Sequence, residues 1–482
     1  MALPGRLDAL ERSPQLRLAR EALGDDGWVV GGTVRDALLG RPLVDLDLVV
    51  PADSCTAAKE LARVAKGHAF ELSEDFAAWR MVTGDRTWQA DVTALRGDSI
   101  EADLALRDFT VNAIAVPLTG GEMIDPHAGE ADLDRRCLRA VGPESFRDDP
   151  LRTMRMPRLA CELGLEVDEH TIALARADAR GLERVSPERS YYELRRLVSS
   201  TDPLSGLELM DRAGLVGVLL PELEQLKGVE QNPYHHLDVW GHTLEVLEQL
   251  LELERDPTRV FGEHGEAVAR ELARPLADEL TRWQALRLGA LFHDVGKPAT
   301  RAVSDEGRVL FWGHDELGAR MSRELARRLR ASTATGEFLS RLALHHLRLG
   351  FLVHHRPIGR RDLYRYLRAC EPVEVEVTVL STADRLATRG ERTRAEAISD
   401  HLDLAREIAA EALAWRTNGP PELPVRGDDL IAALGIEPGP RLGELIEELR
   451  EAVFAGEVGS REEALAMARA SLAGASPAWP AP

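Results

Sequence analysis

Lysine is almost absent from this chain: four occur in 482 residues, at Lys59, Lys66, Lys227 and Lys297, so nearly all the positive charge is arginine. Acidic residues outnumber basic ones by 81 to 60. The formal charge of −21 excludes a protein that coats nucleic acid by bulk attraction, because phosphate binding needs positive potential. A polyanion would have to be met by local patches, and residues 301–372 hold one, with 14 arginines against 8 acids. Cysteine is as scarce. Cys55, Cys137, Cys161 and Cys370 stand far apart with no CxxC spacing, which suggests neither a disulfide framework nor a zinc cluster. No apolar run approaches the roughly 18 residues of a membrane span, and the opening stretch MALPGRLDALERSPQLRLAR lacks an uninterrupted apolar core. A cytoplasmic location is therefore expected. The length exceeds one core and predicts about three or four domains.

What is present is organised around Gly31 to Val50, GGTVRDALLGRPLVDLDLVV. An apolar run, Trp28-Val29-Val30, ends in two glycines and a threonine. A short helical pattern then leads to a second apolar strand bearing Asp45 and Asp47. Strand side chains alternate, so both carboxylates project from one face while Leu46 and Leu48 point into a core. Two like charges held that close call for a cation, and a hard divalent ion such as Mg²⁺ takes carboxylate, phosphate and water oxygens. Gly31 and Gly32 let backbone approach a triphosphate, and the Thr33 hydroxyl can add a hydrogen bond. Taken singly, Gly-Gly after a strand is often only a turn, and Asp-x-Asp only a solvated face.

Together and in this order these residues resemble the signature of polymerase β superfamily nucleotidyltransferases, and more narrowly the bacterial tRNA nucleotidyltransferase and poly(A) polymerase family. The resemblance implies that Asp45 and Asp47 hold Mg²⁺ and that Gly31, Gly32, Thr33 and Arg35 lie along the nucleotide. Strands are expected around Ala69–Leu72, Ala78–Val82 and Trp88–Ala94. Asp91 falls on the polar face of the third, either as an exposed carboxylate or as the third acidic group that holds the attacking hydroxyl. LRDFTVNAIAV, from Leu106, resembles the family's RRDFTxNA motif with its first arginine lost. That match implies Arg107 on phosphate, Asp108 on the ribose hydroxyls and Asn112 on sugar or phosphates. DPHAGEADL, from Asp125, resembles the joint between catalytic head and helical neck, with a helix beginning at Asp132.

The neck sequence RDDPLRTMRMPRLACELG resembles EDxxRxLRxxRFA and supplies Asp149, Arg152, Arg155 and Arg158. In the family the acid and first arginine read the incoming base as a template would. A carboxylate accepts from the exocyclic amine of cytosine or adenine while guanidinium donates to the ring acceptors beside it, so CTP and ATP fit and UTP and GTP do not. Asp149 before Pro150 also suits a helix cap alone. Pro157 should kink the helix that follows, and Pro14 should break the one expected over residues 1–25.

Ten of the fourteen histidines fall between His235 and His355. His242, the pair His293-Asp294, His314, His346 and Asp384 follow the order H…HD…H…H…D, which resembles the HD superfamily of metal-dependent phosphohydrolases. A divalent metal of unspecified identity is implied, with Lys297 as a phosphate contact, His346 preferred over His345, and His235 and His236 outside the ligand set.

The expected fold is α+β: a nucleotidyltransferase head with a small mixed sheet (1–140), then an all-α neck and body (141–230), an HD domain (231–400) and a helical tail (401–482). The expected activity is addition of CCA to the 3′ end of tRNA from CTP and ATP, with an HD-type phosphohydrolase site beside it. Only eleven residues separate Arg96 from Asp108, where family members that add the terminal A carry a longer loop. A CC-adding or A-adding enzyme, or a poly(A) polymerase, is therefore the alternative within the family; an HD phosphohydrolase with a nucleotide-binding head is the alternative outside it. No membrane partner is expected.

Overall fold

The computed structural model describes residues 6–51, 53–73 and 77–474. The chain divides into two compact units, 1–220 and 221–482. No described helix is long and apolar enough to cross a membrane.

The first unit is built on six strands: β1 (Trp28–Val30), β2 (Asp45–Val50), β3 (Gly67–Ser73), β4 (Ala78–Thr83), β5 (Gln89–Ala94) and β6 (Ala115–Pro117). They form one mixed sheet in the order β3-β4-β5-β2-β1-β6. The only parallel pair in it is β2 with β5, and its register sets Asp45 opposite Gln89 and Asp47 opposite Asp91. Leu46, Leu48, Ala90 and Val92 are buried on the other face, as the period-two pattern predicts. The helix Ser54–Val64 returns the chain from β2 and covers that face, started by Asp53, whose carboxylate accepts the Cys55 and Thr56 N–H groups at 3.1 Å.

The helix expected over residues 1–25 is interrupted at Pro14: a short helix, Asp8–Glu11, ends before it, and Pro14 opens a second, Pro14–Leu23, which the Ser13 hydroxyl caps by accepting the Leu16 N–H. Residues 1–5 of the expected helix lie outside the described residues. The joint helix begins at Gly129, three residues before Asp132, because the Asp125 carboxylate accepts the N–H groups of Gly129 (2.7 Å) and Glu130 (2.9 Å). Asp132 is instead buried and accepts from Thr110 Oγ1 at 2.6 Å and Arg139 Nε at 3.0 Å, fastening joint to head. Short strand pairs accompany the helices that follow the head: Cys137–Leu138 pairs with Glu166–Val167, and two short antiparallel ribbons occur in the second unit.

Phe109, from the RDFT stretch, packs edge-to-face on Phe146 of the neck with centroids 6.2 Å apart and both rings fully buried. Pro157 lies buried inside the helix Arg152–Leu163, so the Thr153 carbonyl loses its i+4 donor there. In the second unit, Val239–Arg255, Arg282–Phe292, His314–Arg328, Thr333–His345 and Glu374–Ala387 form a helical bundle. The tail has its own core around Leu430, Leu449, Ala452 and Ala464, and reaches the bundle through the Tyr364–Trp415–Phe454 aromatic cluster.

A Cβ on Gly129 would stand 2.1 Å from the Thr110 carbonyl oxygen, which is backbone and cannot step aside. Gly129→Ala should therefore destabilise the first unit by about 1–3 kcal/mol, measured by calorimetry; an unchanged transition temperature would refute this packing.

Candidate functional sites

All fourteen head and neck residues singled out from the sequence line one cavity of about 960 Å³ in the first unit. Ten arginines and seven carboxylates face it, a local positive excess in a chain of net charge −21. Gly31 is the first residue of the helix Gly31–Leu38, directly after β1, so the first turn of that helix opens into the cavity. Its φ of +64° is the left-handed region, and a Cβ there would meet Arg107 Nη1 at 2.8 Å. A Cβ on Gly32 would lie 3.1 Å from Asp47 Oδ2. The two glycines thus let an arginine and a carboxylate close on the start of the helix.

Thr33 is placed differently from the expectation. Its hydroxyl donates to the Asp45 carbonyl at 3.2 Å and accepts the Asp47 N–H at 2.8 Å, locking helix to strand. Burial raises the pKa of Asp45 and of Asp47, and the nearby Asp91 carboxylate adds to both. Asp91 is not a lone exposed acid: Arg80, opposite it on β4, binds it in bidentate fashion at 2.7 and 2.8 Å. Of the three carboxylates, Asp91 alone has a directly bonded guanidinium. Asp45 and Asp47 are left as hard oxygen donors in a partly dehydrated pocket, a donor set that fits a divalent cation.

The RDFT residues are also interlocked. Arg35 Nη1 donates to Asn112 Oδ1 at 2.6 Å, and Asn112 Nδ2 donates to Asp108 Oδ1 at 3.0 Å. Asp108 further accepts from Arg155 Nε at 2.9 Å. Burial alone would raise the Asp108 pKa, but Arg155, Asn112 and Arg152 together hold it well below the usual carboxylate range. Arg107 is held by Asp103, which is 1% exposed and also binds Arg96.

In the neck, Arg152 donates from Nη1 to the Arg107 and Ser145 carbonyls and from Nη2 to the Leu106 carbonyl, at 2.8–3.2 Å. Guanidinium carries five donors, so Nε and one Nη2 hydrogen are left along a single edge. Asp149 accepts the Leu151 N–H at 3.2 Å, as a cap would, and its other oxygen faces Arg189 at 3.4 Å. Arg158 is 4% exposed and bound to Glu193 and Glu162. These ion pairs, not a ligand, explain its burial. Sequence reading missed Arg80, Arg96, Arg189, Tyr192 and Arg196 in the cavity wall; the alternation of β4 opposite Asp91 was the signal for Arg80.

The second unit brings the HD residues together from five helices and their ends. Asp294 is shared by two groups whose ligand atoms lie within 4.8 Å: His242–His293–Asp294 and Asp294–His314–His346. His293, His314 and His346 each direct Nδ1 at the backbone carbonyl three residues earlier, at 2.7–2.8 Å, which makes Nδ1 the donor and leaves Nε2 lone pairs facing Asp294. Asp384 Oδ1 stands 3.0 Å from His242 Nε2. Burial, then the neighbouring His293, push the His346 pKa down to about 4, so this imidazole is neutral at physiological pH. The buried His293 Nε2 and Asp294 Oδ1 have no hydrogen-bond partner, while Asp294 Oδ2 is met by the Lys297 ammonium at 2.6 Å. Orphaned buried donors of this kind fit a divalent metal. His345 turns away and accepts from Arg348, His236 pairs with Glu245, and His235 stacks edge-on against His242 with centroids 4.8 Å apart.

Comparison with known proteins covers the same ground. Residues 27–139 match the poly A polymerase head domain model, 164–227 the model described as "Probable RNA and SrmB- binding site of polymerase A", 239–389 the HD domain and 385–468 tRNA nucleotidyltransferase domain 2. The chain is 36% identical to the A-adding tRNA nucleotidyltransferase of Deinococcus radiodurans, over 91% of this chain and 94% of the relative. It is also 36% identical to the CC-adding tRNA nucleotidyltransferase of Thermus thermophilus, over 92% of each. Among solved structures, a CCA-adding enzyme complexed with ATP shares the fold with a TM-score of 0.65 at 22% identity, covering 96% of this chain and 97% of that one.

Two outcomes follow from this geometry. Because the folded pKa of Asp108 is depressed, its contribution is full above the unfolded pKa and is lost as pH falls. Asp108→Asn should cost about 1–3 kcal/mol at neutral pH, and the gap from the parent should begin to narrow below about pH 4 and keep narrowing as pH falls toward the depressed folded pKa, read by urea denaturation across that range. Because both histidine groups share Asp294, Asp294→Ala should remove more divalent metal from purified protein than His242→Ala or His314→Ala, by elemental analysis; equal losses would deny the shared position.

Proposed function

We propose that this chain, which belongs to the bacterial tRNA nucleotidyltransferase and poly(A) polymerase family, extends the 3′ end of tRNA with C, C and A, taken from CTP and ATP without a nucleic-acid template. The observation that carries the reading is the single arginine-rich cavity holding every head and neck residue expected to contact nucleotide. The triphosphate lies at the first turn of the Gly31–Leu38 helix, where unbonded N–H groups and the positive dipole end favour anions, with Arg35 and Arg107 flanking it. Asp45 and Asp47 would hold a divalent ion, taken to be Mg²⁺, which when bound neutralises charge on the triphosphate. Asp91, oriented by Arg80, receives the terminal hydroxyl of the RNA. That hydroxyl attacks the α-phosphorus in line, one P–O bond forms, and the bond to pyrophosphate breaks. Positioning and charge neutralisation supply most of the rate.

Asp149 accepts the exocyclic amine of cytosine or adenine, and the open Nε/Nη2 edge of Arg152 donates to the adjacent ring acceptors. Uracil and guanine present a donor and an acceptor in the opposite places, so each would leave buried charge unpaired. Asp108 and Asn112, joined to each other, shape the sugar side; Arg155 and Arg158 act behind them by holding Asp108 and the neck carboxylates. In the second unit, His242, His293, Asp294, His314, His346 and Asp384 would hold divalent metal for phosphoester hydrolysis, which supplies an activated water when metal is bound, and Lys297 would bind the phosphate.

One observation favours a second reading within the family. The segment between Arg96 and Asp108 forms the short helix Ile100–Ala105, capped by Ser99 and pinned through Asp103 to Arg96 and Arg107. A pinned segment limits readjustment between C and A, which points to a CC-only or A-only enzyme.

Purified protein with Mg²⁺ and transcripts ending at the discriminator base, at C or at CC should add CC to the first and A to the last, sized at single-nucleotide resolution. Addition of two cytidines with no A, or of A on the CC transcript alone, would establish the second reading, and long A tails a poly(A) polymerase. Asp45→Ala should lower extension by more than about 10²-fold while tRNA still binds; an active Asp45→Ala protein would overturn the mechanism.

A further inference from the structure

The cavity contains ten arginines but one aromatic side chain, Tyr192. It lies on the neck helix Pro187–Val198 and is 44% exposed, whereas its neighbour Tyr191 is buried in the core. This exposed ring stands in a wall rich in guanidinium groups. Its position is nevertheless fixed: Arg196 Nη1 donates to the Tyr192 hydroxyl at 3.1 Å, and the Arg195 and Arg196 guanidiniums lie 5.3 and 5.6 Å from the ring centroid. An aromatic ring held by arginines at the wall of a polyanion cavity is the usual means of gripping an unstacked base in single-stranded RNA.

The same helix indicates which base. Arg189, one turn earlier, faces Asp149, the carboxylate assigned to the incoming base. Tyr192 and Arg196 line the same cavity as Arg80, which holds Asp91, and the Arg196 charge acts on Asp45. The helix face thus runs from the incoming base at Arg189 to the reacting carboxylates at Tyr192 and Arg196. Three residues rise about 4.5 Å along a helix, close to the roughly 3.4 Å step between successive nucleotides. We propose that Tyr192 is the stacking platform for the 3′-terminal base of the RNA, one step from the incoming base, so that it positions the terminal hydroxyl at Asp91. Stacking is tolerant of base identity, which suits a site whose terminal base changes from one addition to the next.

This rests on the extension reaction proposed above, and the test separates the two. Transcripts carrying 2-aminopurine as the terminal base, mixed with protein without nucleotide, report stacking by fluorescence quenching; extension with CTP or ATP is measured separately. The parent should quench the probe. Tyr192→Ala should abolish quenching and raise KM for RNA by about 5- to 100-fold with KM for CTP and ATP unchanged, while Tyr192→Phe and Tyr192→Trp restore both. Quenching that persists in Tyr192→Ala, a defect confined to KM for the nucleotide, or a Tyr192→Phe protein as impaired as Tyr192→Ala would overturn the platform. Tyr192-dependent quenching without extension of any transcript would uphold the platform and reject the extension reaction; extension with no such quenching would do the reverse. Circular dichroism identifies a variant that fails to fold, in which case Tyr192→Leu, which keeps side-chain bulk without an aromatic face, must show the Tyr192→Ala pattern or the proposal falls.

Discussion

The parallel pairing of β2 with β5 is the constraint on which the proposed nucleotide site depends. It fixes Asp47 beside Asp91, and the neighbouring antiparallel β4 sets Arg80 across from Asp91. Three carboxylates on one face of a sheet repel one another, and a folded chain must answer that repulsion. Arg80 answers it on one side only. On the other side Asp45 and Asp47 keep their charge difficult to hold, as their raised pKa values record. The stress belongs to the sheet register and cannot relax without unpairing strands, so the site remains prepared for a cation and a polyphosphate.

A chain of net charge −21 can bind polyanions only by concentrating its arginines. The cavity achieves this, but most of its guanidiniums are tied. Arg35 is tied to Asn112, Arg80 to Asp91, Arg107 to Asp103, and Arg155 to Asp108. Bonded guanidiniums lose little further entropy on meeting ligand, and they keep unused donors on the side away from the partner. Preorganised positive charge of this kind supports electrostatic catalysis better than a flexible surface patch does.

Much of this was legible in the sequence because it depends on period and local order. The alternation of DLDLVV predicts the face of Asp45 and Asp47, and the strands at Ala78–Val82 and Trp88–Ala94 stand where the apolar alternation puts them. The HD residues were readable because so many histidines in one order exceed what packing explains. What could not be read depends on pairing between distant segments. No local signal says that Thr33 would lock helix to strand, that Asp132 would be buried under Thr110, or that Arg158 would be enclosed by Glu162 and Glu193. Arg80 and Tyr192 were missed for the same reason, since each acquires meaning only through the element opposite.

The two units solve one electrostatic problem with different chemistry. In the first, hard carboxylates face a cavity that also holds arginines, so an ion held there as proposed would share its ligand field with a polyphosphate and remain exchangeable. In the second, imidazoles surround a single buried aspartate, and those of His293, His314 and His346 are locked by a backbone carbonyl on the far nitrogen. Burial keeps His346 neutral, and neutral imidazole is the metal-binding form. The orientation of those rings is paid for by helix ends: His293 and His346 occupy the C-terminal caps of their helices, and His314 opens its own. A ligand at a helix end can be aimed without bending the helix, so the bundle can bring imidazoles from three helix termini to Asp294 with its core packing intact. A sheet offers no such ends at its centre, and the proposed nucleotide site accordingly draws its two carboxylates, Asp45 and Asp47, from alternate positions of one strand.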